Sequence, residues 1–306
     1  MQARRQVEIV EVGPRDGLQS EPGILPTAAK VEFIERVVAS GIRRVEVASF
    51  VHPQRVPQMA DAEAVMQALP RRTDVTYVGL VLNRKGFERA AAAGCREIGM
   101  AIGASDAFSL RNQGCSTDEA VAAWLDIAAA ARRAGIRAQV TVSVAFGCPF
   151  EGELPVQRVV DVVRRLAEAE PFEVALADTI GVAVPPQVTE LVARVGEAVP
   201  GPALRCHFHN TRNTGLANAF AAVQAGVRTL DASLGGIGGC PFAPAATGNI
   251  PTEDLVYLLH RSGYPTGIDL QAAIATSQWL QAQLGRVLPG MLAKAGDFPG
   301  DPPGAA

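Results

Sequence analysis

The sequence has few aromatic residues, no excess of positive charge and no long apolar run. Aromatic side chains make up 5% of its 306 residues, and the net charge is −3. A negative balance gives no electrostatic basis for binding nucleic acid or an anionic membrane. No apolar stretch approaches the roughly 18 residues that a membrane-spanning helix needs. The N-terminal residues MQARRQ lead directly into a strand-like segment, so we expect no signal or transit peptide.

The cysteines also show no spacing typical of disulfides or zinc sites. The five cysteines are odd in number and follow no CxxC spacing, which favours free thiols over a disulfide framework or a thiolate zinc site. Free thiols indicate a reducing compartment, so we expect a cytoplasmic protein. Of the five, only Cys240 lies in a segment that suggests a role in chemistry.

What the chain does contain is a regular alternation of strand-like and helix-like segments. Eight strand-then-helix units follow one another at even spacing, which predicts a (β/α)8 TIM barrel with parallel strands, and an open doubly wound sheet is the alternative. We expect residues 1–284 to form a single catalytic domain with an appended C-terminal helix. Residues 285–306, rich in Gly and Pro, are expected to form a flexible extension. The expected strands are Val7–Val12, Arg44–Ala48, Val75–Leu80, Glu97–Ile102, Ala138–Ala145, Glu173–Ala177, Ala203–Phe208 and Arg228–Ala232.

Two histidines close the seventh strand and suggest a metal site. Alternation along a strand places His207 and His209 on the same side. Asp16, after the first strand, and Asn249, in the glycine-rich loop after the eighth, can supply two oxygens. Imidazole, carboxylate and amide ligands without thiolate suit Mg²⁺ or Mn²⁺. For H-x-H alone, two strand-end histidines bonded to backbone would be the simpler interpretation, but Asp16 and the eight-unit pattern favour the metal.

Three further charged residues map to the same ends of the strands, where barrel enzymes place their active sites. Arg15 lies beside Asp16 in GPRDGLQSEPG, which we expect to be a loop. The two could form a solvated ion pair, but at a barrel mouth Arg15 is better placed to stabilise an enolate oxygen. Glu46 is a carboxylate inside the apolar strand RRVEVAS, so it needs a partner such as Arg15 or a metal-bound water. Asp178 in ADTIG is a general base, a helix cap or a residue behind the metal ligands.

Cys240 lies in SLGGIGGCPF, where glycines allow a loop to close over a ligand. An idle cysteine beside proline is the simpler alternative. The segment lacks the spacing of a dinucleotide or P-loop fingerprint, which excludes nucleotide phosphate binding by that route.

With these motifs in hand, the chain resembles the 3-hydroxy-3-methylglutaryl-CoA (HMG-CoA) lyase family of the DRE-TIM metallolyase superfamily, which includes isopropylmalate synthase. The resemblance runs from about Val7 to Leu284 and rests on VGPRDGLQSE, ASFVHPQRVPQMAD, GCPFEG, DTIG and SLGGIGGCPFAPAATGN. It implies an acyl-CoA substrate and a homodimer or larger oligomer. It also implies roles for the residues already singled out: metal ligands at Asp16, His207, His209 and Asn249, enolate stabilisation by Arg15, an acid–base thiol at Cys240, and assisting carboxylates at Glu46 and Asp178.

The chain departs from the family pattern at a few positions near the motifs. Asn210 and Arg212 follow H-x-H where the lyases usually carry Asp and Tyr, Phe150 replaces a common Tyr, and Pro22 replaces a Lys. Arg212 adds a positive charge that could select a different acyl carboxylate, or it could merely pack at the base of the loop.

The expected reaction is metal-assisted retro-aldol cleavage of an HMG-CoA-like acyl-CoA to acetyl-CoA and acetoacetate or an analogous keto acid. A Claisen-condensing synthase of the isopropylmalate synthase type and an inactive metal-binding barrel are the alternatives. The thiol-bearing GGCPF loop argues against the synthase, and the full set of ligands with Cys240 argues against the inactive barrel.

Overall fold

A computed structural model describes residues 6–239 and 248–298 and shows a closed barrel of eight parallel strands. Each strand pairs with the next, and β8 closes on β1 with Val10 opposite Asp231. The predicted (β/α)8 barrel is therefore confirmed over the open sheet, and the strands lie close to their expected bounds. They are β1 Glu8–Glu11, β2 Arg44–Ser49, β3 Thr76–Leu80, β4 Glu97–Gly103, β5 Arg137–Ser143, β6 Glu173–Asp178, β7 Ala203–Phe208 and β8 Thr229–Ala232.

Helices surround the barrel and bury their apolar faces against the outside of the strands. No helix in residues 6–239 and 248–298 is long and apolar enough to cross a membrane. The helices are α1 Thr27–Ala39, α2 Ala62–Ala68, α3 Arg84–Ala92, α4 Asp106–Gln113, α5 Thr117–Arg133, α6 Val156–Ala167, α7 Pro185–Ala198, α8 Gly215–Gln224, α9 Thr252–Arg261, α10 Leu270–Leu284 and α11 Leu292–Ala295.

Helix α4 was not expected from the sequence. It is short and has no clear apolar face, so periodicity cannot identify it. Its start is fixed instead by a local contact, since the Ser105 hydroxyl accepts the backbone N–H of Phe108. The segment after β1 also differs from the expected loop, because Gly13–Gly17 forms a π-helical turn.

The inside of the barrel carries buried charge toward the N-terminal ends of its strands. Arg44 of β2 donates to Glu97 of β4 and Glu173 of β6, and all three side chains are nearly inaccessible to solvent. Side chains from non-adjacent strands meet only inside a closed barrel, so these residues fill its interior. A buried ion pair costs desolvation energy and is tolerated only when its hydrogen bonds are satisfied, as they are here.

Glu11, at the C-terminal end of β1, connects three segments of the chain. One of its oxygens accepts the backbone N–H groups of Gly13 and Leu234, and the other accepts the Thr252 hydroxyl. Burial raises the pKa of this carboxyl from 4.5 to about 8, although the hydrogen bonds act in the opposite direction. The loops after β1 and β8 are thus fixed relative to each other by one side chain.

Residues 285–298, expected to belong to a flexible extension, instead pack against the barrel. Asp254 accepts the backbone N–H groups of Met291 and Leu292, and Arg286 pairs with Glu21 of the loop after β1. Leu288 is also buried. Composition suggested flexibility here, but these long-range contacts override it, and they place the segment against the same loops that Glu11 connects.

The titration of Glu11 predicts a pH dependence of stability. The folded protein keeps a proton on Glu11 up to about pH 8, whereas the unfolded chain loses it above its ordinary pKa of 4.5. The free energy of unfolding should therefore fall as the pH rises between these values, by up to about 1.4 kcal/mol per pH unit for this one proton. Glu11→Gln, which resembles the protonated form, should remove that share of the slope in denaturant titrations. The exposed Glu190→Gln variant is the control, and an unchanged slope in the Glu11 variant would contradict the assignment.

Candidate active site

The polar residues singled out in the sequence, apart from Cys240, lie at the C-terminal face of the barrel. The π-helical turn Gly13–Gly17 presents Arg15 and Asp16 there, and its start is fixed by the Val12 carbonyl, which accepts the Asp16 N–H at 2.7 Å. A Cβ on Gly13 would lie 2.4 Å from a Glu11 oxygen, and one on Gly17 would lie 2.5 Å from Ile237. Close packing on both sides of the turn therefore requires glycine at both ends of GPRDG.

Asp16, His207 and His209 form a cluster whose potential ligand atoms all lie within 4.8 Å of one another. The two imidazole rings come from β7 and the residue just after it, and their centroids are 5.0 Å apart. Asn249 joins the cluster by donating to Asp16 at 2.8 Å, and its amide also donates to the Ile237 carbonyl. Four residues from three separate segments of the chain thus meet at one point.

Unpartnered buried atoms show that this cluster fits a cation. His209 Nδ1 and Asn249 Oδ1 are buried and have no hydrogen-bond partner among the described residues. Buried polar atoms are almost always bonded, so an orphaned nitrogen and an orphaned oxygen next to a carboxylate call for a ligand. Nitrogen and oxygen donors without a described thiolate suit a divalent cation.

The protonation states of Asp16 and His209 also suit metal binding. Burial raises the pKa of Asp16, but the Arg15 guanidinium and the two histidines outweigh it and lower that pKa to about 2. Burial and the neighbouring His207 lower the pKa of His209 to about 3. Near neutral pH, Asp16 is therefore a carboxylate and His209 a neutral imidazole, which are the forms that bind metal ions.

Arg15 lies between two carboxylates at the edge of the cluster. Its Nη1 is 2.7 Å from Asp16 and its Nη2 is 2.8 Å from Glu46. Burial opposes the charged form of Arg15, but Glu46 and Asp16 raise its pKa, so the guanidinium stays charged. Glu46 therefore has the Arg15 partner that its position in an apolar strand required. The β2–β3 register shifts between Glu46 and Ala48, and such bulges redirect side chains near functional sites.

Asp178 lies at the end of β6 with both carboxylate oxygens bonded to the following loop. Val182 and Ala183 donate their backbone N–H groups to it at 2.9 and 3.0 Å. Helix α7 begins at Pro185 with Val184 as its N-cap, so the helix-cap interpretation of Asp178 is wrong. Burial raises the pKa of Asp178. A role as general base or behind the metal ligands remains compatible with this position.

Cys240 lies outside the described residues, in the segment 240–247. The residues that flank this segment reach the cluster. A Cβ on Gly238 would lie 2.4 Å from the Asn249 amide nitrogen, and one on Gly248 would lie 2.4 Å from the Gly238 carbonyl. The two flanks of the segment are therefore in contact beside Asn249.

Two of the residues that depart from the family pattern, Asn210 and Arg212, lie in the loop after β7. Arg212 is exposed and donates to the carbonyls of Ile180 and Gly181, so it connects the loop after β7 to the loop that holds Asp178. Asn210 accepts the Gly215 N–H at the start of α8. Both side chains thus have local structural contacts.

Sequence reasoning missed Asp231 of β8. Its carboxylate lies 3.1 Å from His207 Nδ1 and is buried. The signal was present in the sequence, since a carboxylate inside the apolar strand TLDA is the pattern that identified Glu46. Its partner Arg205, on β7, was also missed.

Comparison with known proteins places this site in a family. The HMGL-like family model matches residues 6–280. The chain belongs to the HMGL-like family. The expected resemblance is therefore confirmed, and so is the assignment to the carbon–carbon lyases.

Named members of the HMGL-like family cover nearly the whole chain. An (R)-citramalyl-CoA lyase of Chloroflexus aurantiacus is 47% identical over 300 residues, 95% of either chain. A hydroxymethylglutaryl-CoA lyase of Pseudomonas mevalonii is 45% identical over 91% of this chain and 93% of its own. A solved HMG-CoA lyase from Acinetobacter baumannii, in complex with coenzyme A and 3-methylmalate, superimposes with a TM-score of 0.93 at 40% identity, covering 97% of both chains.

The cluster predicts specific metal binding that depends on Asp16. In titration calorimetry with Mn²⁺, Asp16→Asn should weaken binding by more than about 100-fold, because it removes the only anionic member of the cluster of three. Saturating Mn²⁺ should raise the free energy of unfolding of the wild type by about 2.7 kcal/mol at a hundred times its Kd.

The matched control is Asp126→Asn, which changes an exposed carboxylate that pairs with Arg84. It should bind Mn²⁺ as the wild type does. Equal affinity of the Asp16 and Asp126 variants would exclude Asp16 from the metal site.

Proposed function

We propose that this chain cleaves a 3-hydroxy-3-methylacyl-CoA with a distal carboxylate into acetyl-CoA and a keto acid by a retro-aldol reaction. The observation that carries the proposal is the Asp16–His207–His209 cluster with Arg15 bonded to one of its members. Two substrates are suggested by the names of the relatives. HMG-CoA would give acetoacetate, and citramalyl-CoA, shorter by one methylene before the carboxylate, would give pyruvate.

The metal position is assigned to Asp16, His207, His209 and Asn249. A divalent ion there, Mg²⁺ or Mn²⁺, would supply Lewis-acid polarisation of substrate oxygens. The excess of carboxylate over guanidinium in the Arg15–Asp16–Glu46 group supports a cation at this point, because one positive charge faces two negative ones.

Protein side chains are proposed to carry out the proton transfers of the reaction. A base removes the proton of the C3 hydroxyl, and Asp178 is the proposed candidate, since burial raises its pKa. The bond between C3 and the thioester α-carbon then breaks, and its electron pair moves into the enolate of acetyl-CoA. A proton delivered to the enolate carbon completes the products.

Arg15 is proposed to hold the enolate oxygen. Its guanidinium is fixed by Asp16 and Glu46 and stays charged, so it needs no reorganisation as negative charge develops. Its buried Nε has no hydrogen-bond partner among the described residues. Glu46 is proposed to assist by holding Arg15 in place.

Cys240 is proposed as the acid that protonates the enolate carbon. Support comes from the contact between Gly238 and Asn249, which brings the residues before Cys240 to the metal ligands. A condensing synthase would use water to hydrolyse a thioester and would not need this thiol. Condensing activity is therefore the alternative outcome of the activity test below.

We also propose that the protein acts in the cytoplasm as a homodimer or larger oligomer. Cys95, Cys115, Cys148 and Cys206 are free, which suits a reducing compartment. Light scattering on the purified chain tests the oligomeric state, and a monomer would contradict it.

The activity predicts release of acetyl-CoA from at least one of the two substrates with Mg²⁺ or Mn²⁺ present. Because a single methylene changes kcat/KM by about 10- to 200-fold, one substrate should be clearly preferred. The measurement is acetyl-CoA release by the purified, reduced protein. Condensation of acetyl-CoA with a 2-oxo acid, without cleavage of either substrate, would support the synthase instead.

The proposed proton transfer predicts that Cys240→Ala lowers kcat by about 100- to 10,000-fold. Its Mn²⁺ affinity, measured by calorimetry, should stay at the wild-type value, since the thiol is not among the proposed ligands. Cys115→Ala, a change of a partly buried thiol before α5, is the control and should leave kcat unchanged. Loss of metal binding together with activity in the Cys240 variant would contradict the role.

A further inference from the structure

We propose that Asp231 is a positioning residue that fixes the tautomer and orientation of His207, so that Nε2 faces the metal. This inference rests on the proposed metal site. Asp231 Oδ2 lies 3.1 Å from His207 Nδ1, and the two residues are direct partners in the β7–β8 pairing. Asp231 is only 5% exposed, so water competes little for this contact.

Asp231 lies behind the ligand cluster. The group whose ligand atoms lie within 4.8 Å of one another contains Asp16, His207 and His209 but not Asp231. An imidazole that donates Nδ1–H to a carboxylate keeps its Nε2 lone pair free. The carboxylate therefore determines which nitrogen of His207 can bind a metal.

A second contact holds the carboxylate in place. Arg205 Nη1 lies 3.4 Å from Asp231 Oδ1, and Arg205 itself is 3% exposed. Gln139 accepts a hydrogen bond from Arg205 Nη2, and Glu173 lies 3.4 Å from Arg205 Nε. Asp231 thus lies between His207 on one side and the Arg205 guanidinium on the other, and the second contact is an ion pair without a hydrogen bond.

Strand β4 leaves room for the contact between Gln139 of β5 and Arg205. A Cβ on Gly99 of β4 would lie 2.6 Å from the Gln139 amide nitrogen. Gly99 therefore allows Gln139 to reach Arg205. A series of contacts runs across the barrel interior from β5 through Arg205 and Asp231 to His207.

His209 provides an internal contrast. Its Nδ1 is buried without a hydrogen-bond partner among the described residues, so no carboxylate selects its tautomer. The described contacts thus select a tautomer for His207 but not for His209. Residues that orient a metal-bound histidine typically contribute about 10- to 100-fold to metal affinity.

The first test reads the tautomer directly, in the metal-free full-length protein. Nitrogen-15 NMR of labelled histidine at alkaline pH should show His207 protonated at Nδ1. In Asp231→Asn, Arg205 should attract the amide oxygen, the amide N–H groups should face His207, and the proton should move to Nε2. A wild-type His207 protonated at Nε2 would overturn the proposal, and this result needs neither metal nor turnover.

The second test is Mn²⁺ affinity. Asp231→Asn should bind Mn²⁺ about 10- to 100-fold more weakly than the wild type. The matched control is Glu97→Gln, which removes a carboxylate from the same buried interior but contacts Arg44 and Arg137 rather than His207. The control should keep affinity within about two-fold of the wild type.

Equal loss of Mn²⁺ affinity in the two variants would indicate general destabilisation and overturn the positioning role. Wild-type affinity in Asp231→Asn would also overturn it. Failure of the wild type to bind Mn²⁺ would instead overturn the proposed metal site, while the tautomer measurement would still decide the role of Asp231. If Asp231→Asn does not fold, the wild-type tautomer alone tests the proposal.

Discussion

Pairing of buried charge is the constraint on which the rest of this structure depends. A barrel of this kind usually fills its interior with branched apolar side chains, whereas this one places Arg44, Glu97, Glu173, Arg205 and Asp231 there. Each would be costly alone, because desolvation of an unpaired ion exceeds any single contact it makes. The network is tolerated because each charge has an oppositely charged partner on another strand.

The same constraint acts at the C-terminal face, with a different result. Arg15 neutralises only part of the charge on Asp16 and Glu46. This group leaves negative charge beside the two histidines. An excess of negative charge is unfavourable unless a cation offsets it. The electrostatics of the site therefore support the proposed metal.

The loops that carry these groups are held from outside the site. Glu11 and Glu253 are buried carboxyls that bind backbone N–H groups of the loop after β8, and burial raises the pKa of Glu253 to about 7. Residues 285–298 close over the same region through Asp254. The positions of Asp16 and Asn249 therefore depend on contacts far along the chain, which fits a site assembled from several strand ends.

The strand alternation made much of this predictable. Parallel strands bring their C-terminal ends to one face, so Asp16, Glu46, His207 and His209 could be placed together from spacing alone. Contacts between distant segments left no such signal. Nothing local in Asp231 identifies His207 as its neighbour, because that depends on the β7–β8 register. The burial of Leu288 likewise depends on long-range contacts, which cannot be predicted from the amino-acid composition of its segment.

The most direct measurement of the central claim is an anomalous-scattering map from crystals of the protein grown with Mn²⁺. The account predicts one strong peak at the C-terminal face, contacted by Asp16, His207 through Nε2, His209 and Asn249, with Arg15 beside it. A peak held by other residues, or no peak at this face in Mn²⁺-containing crystals, would contradict the claim that the negative excess of this site exists to hold a cation.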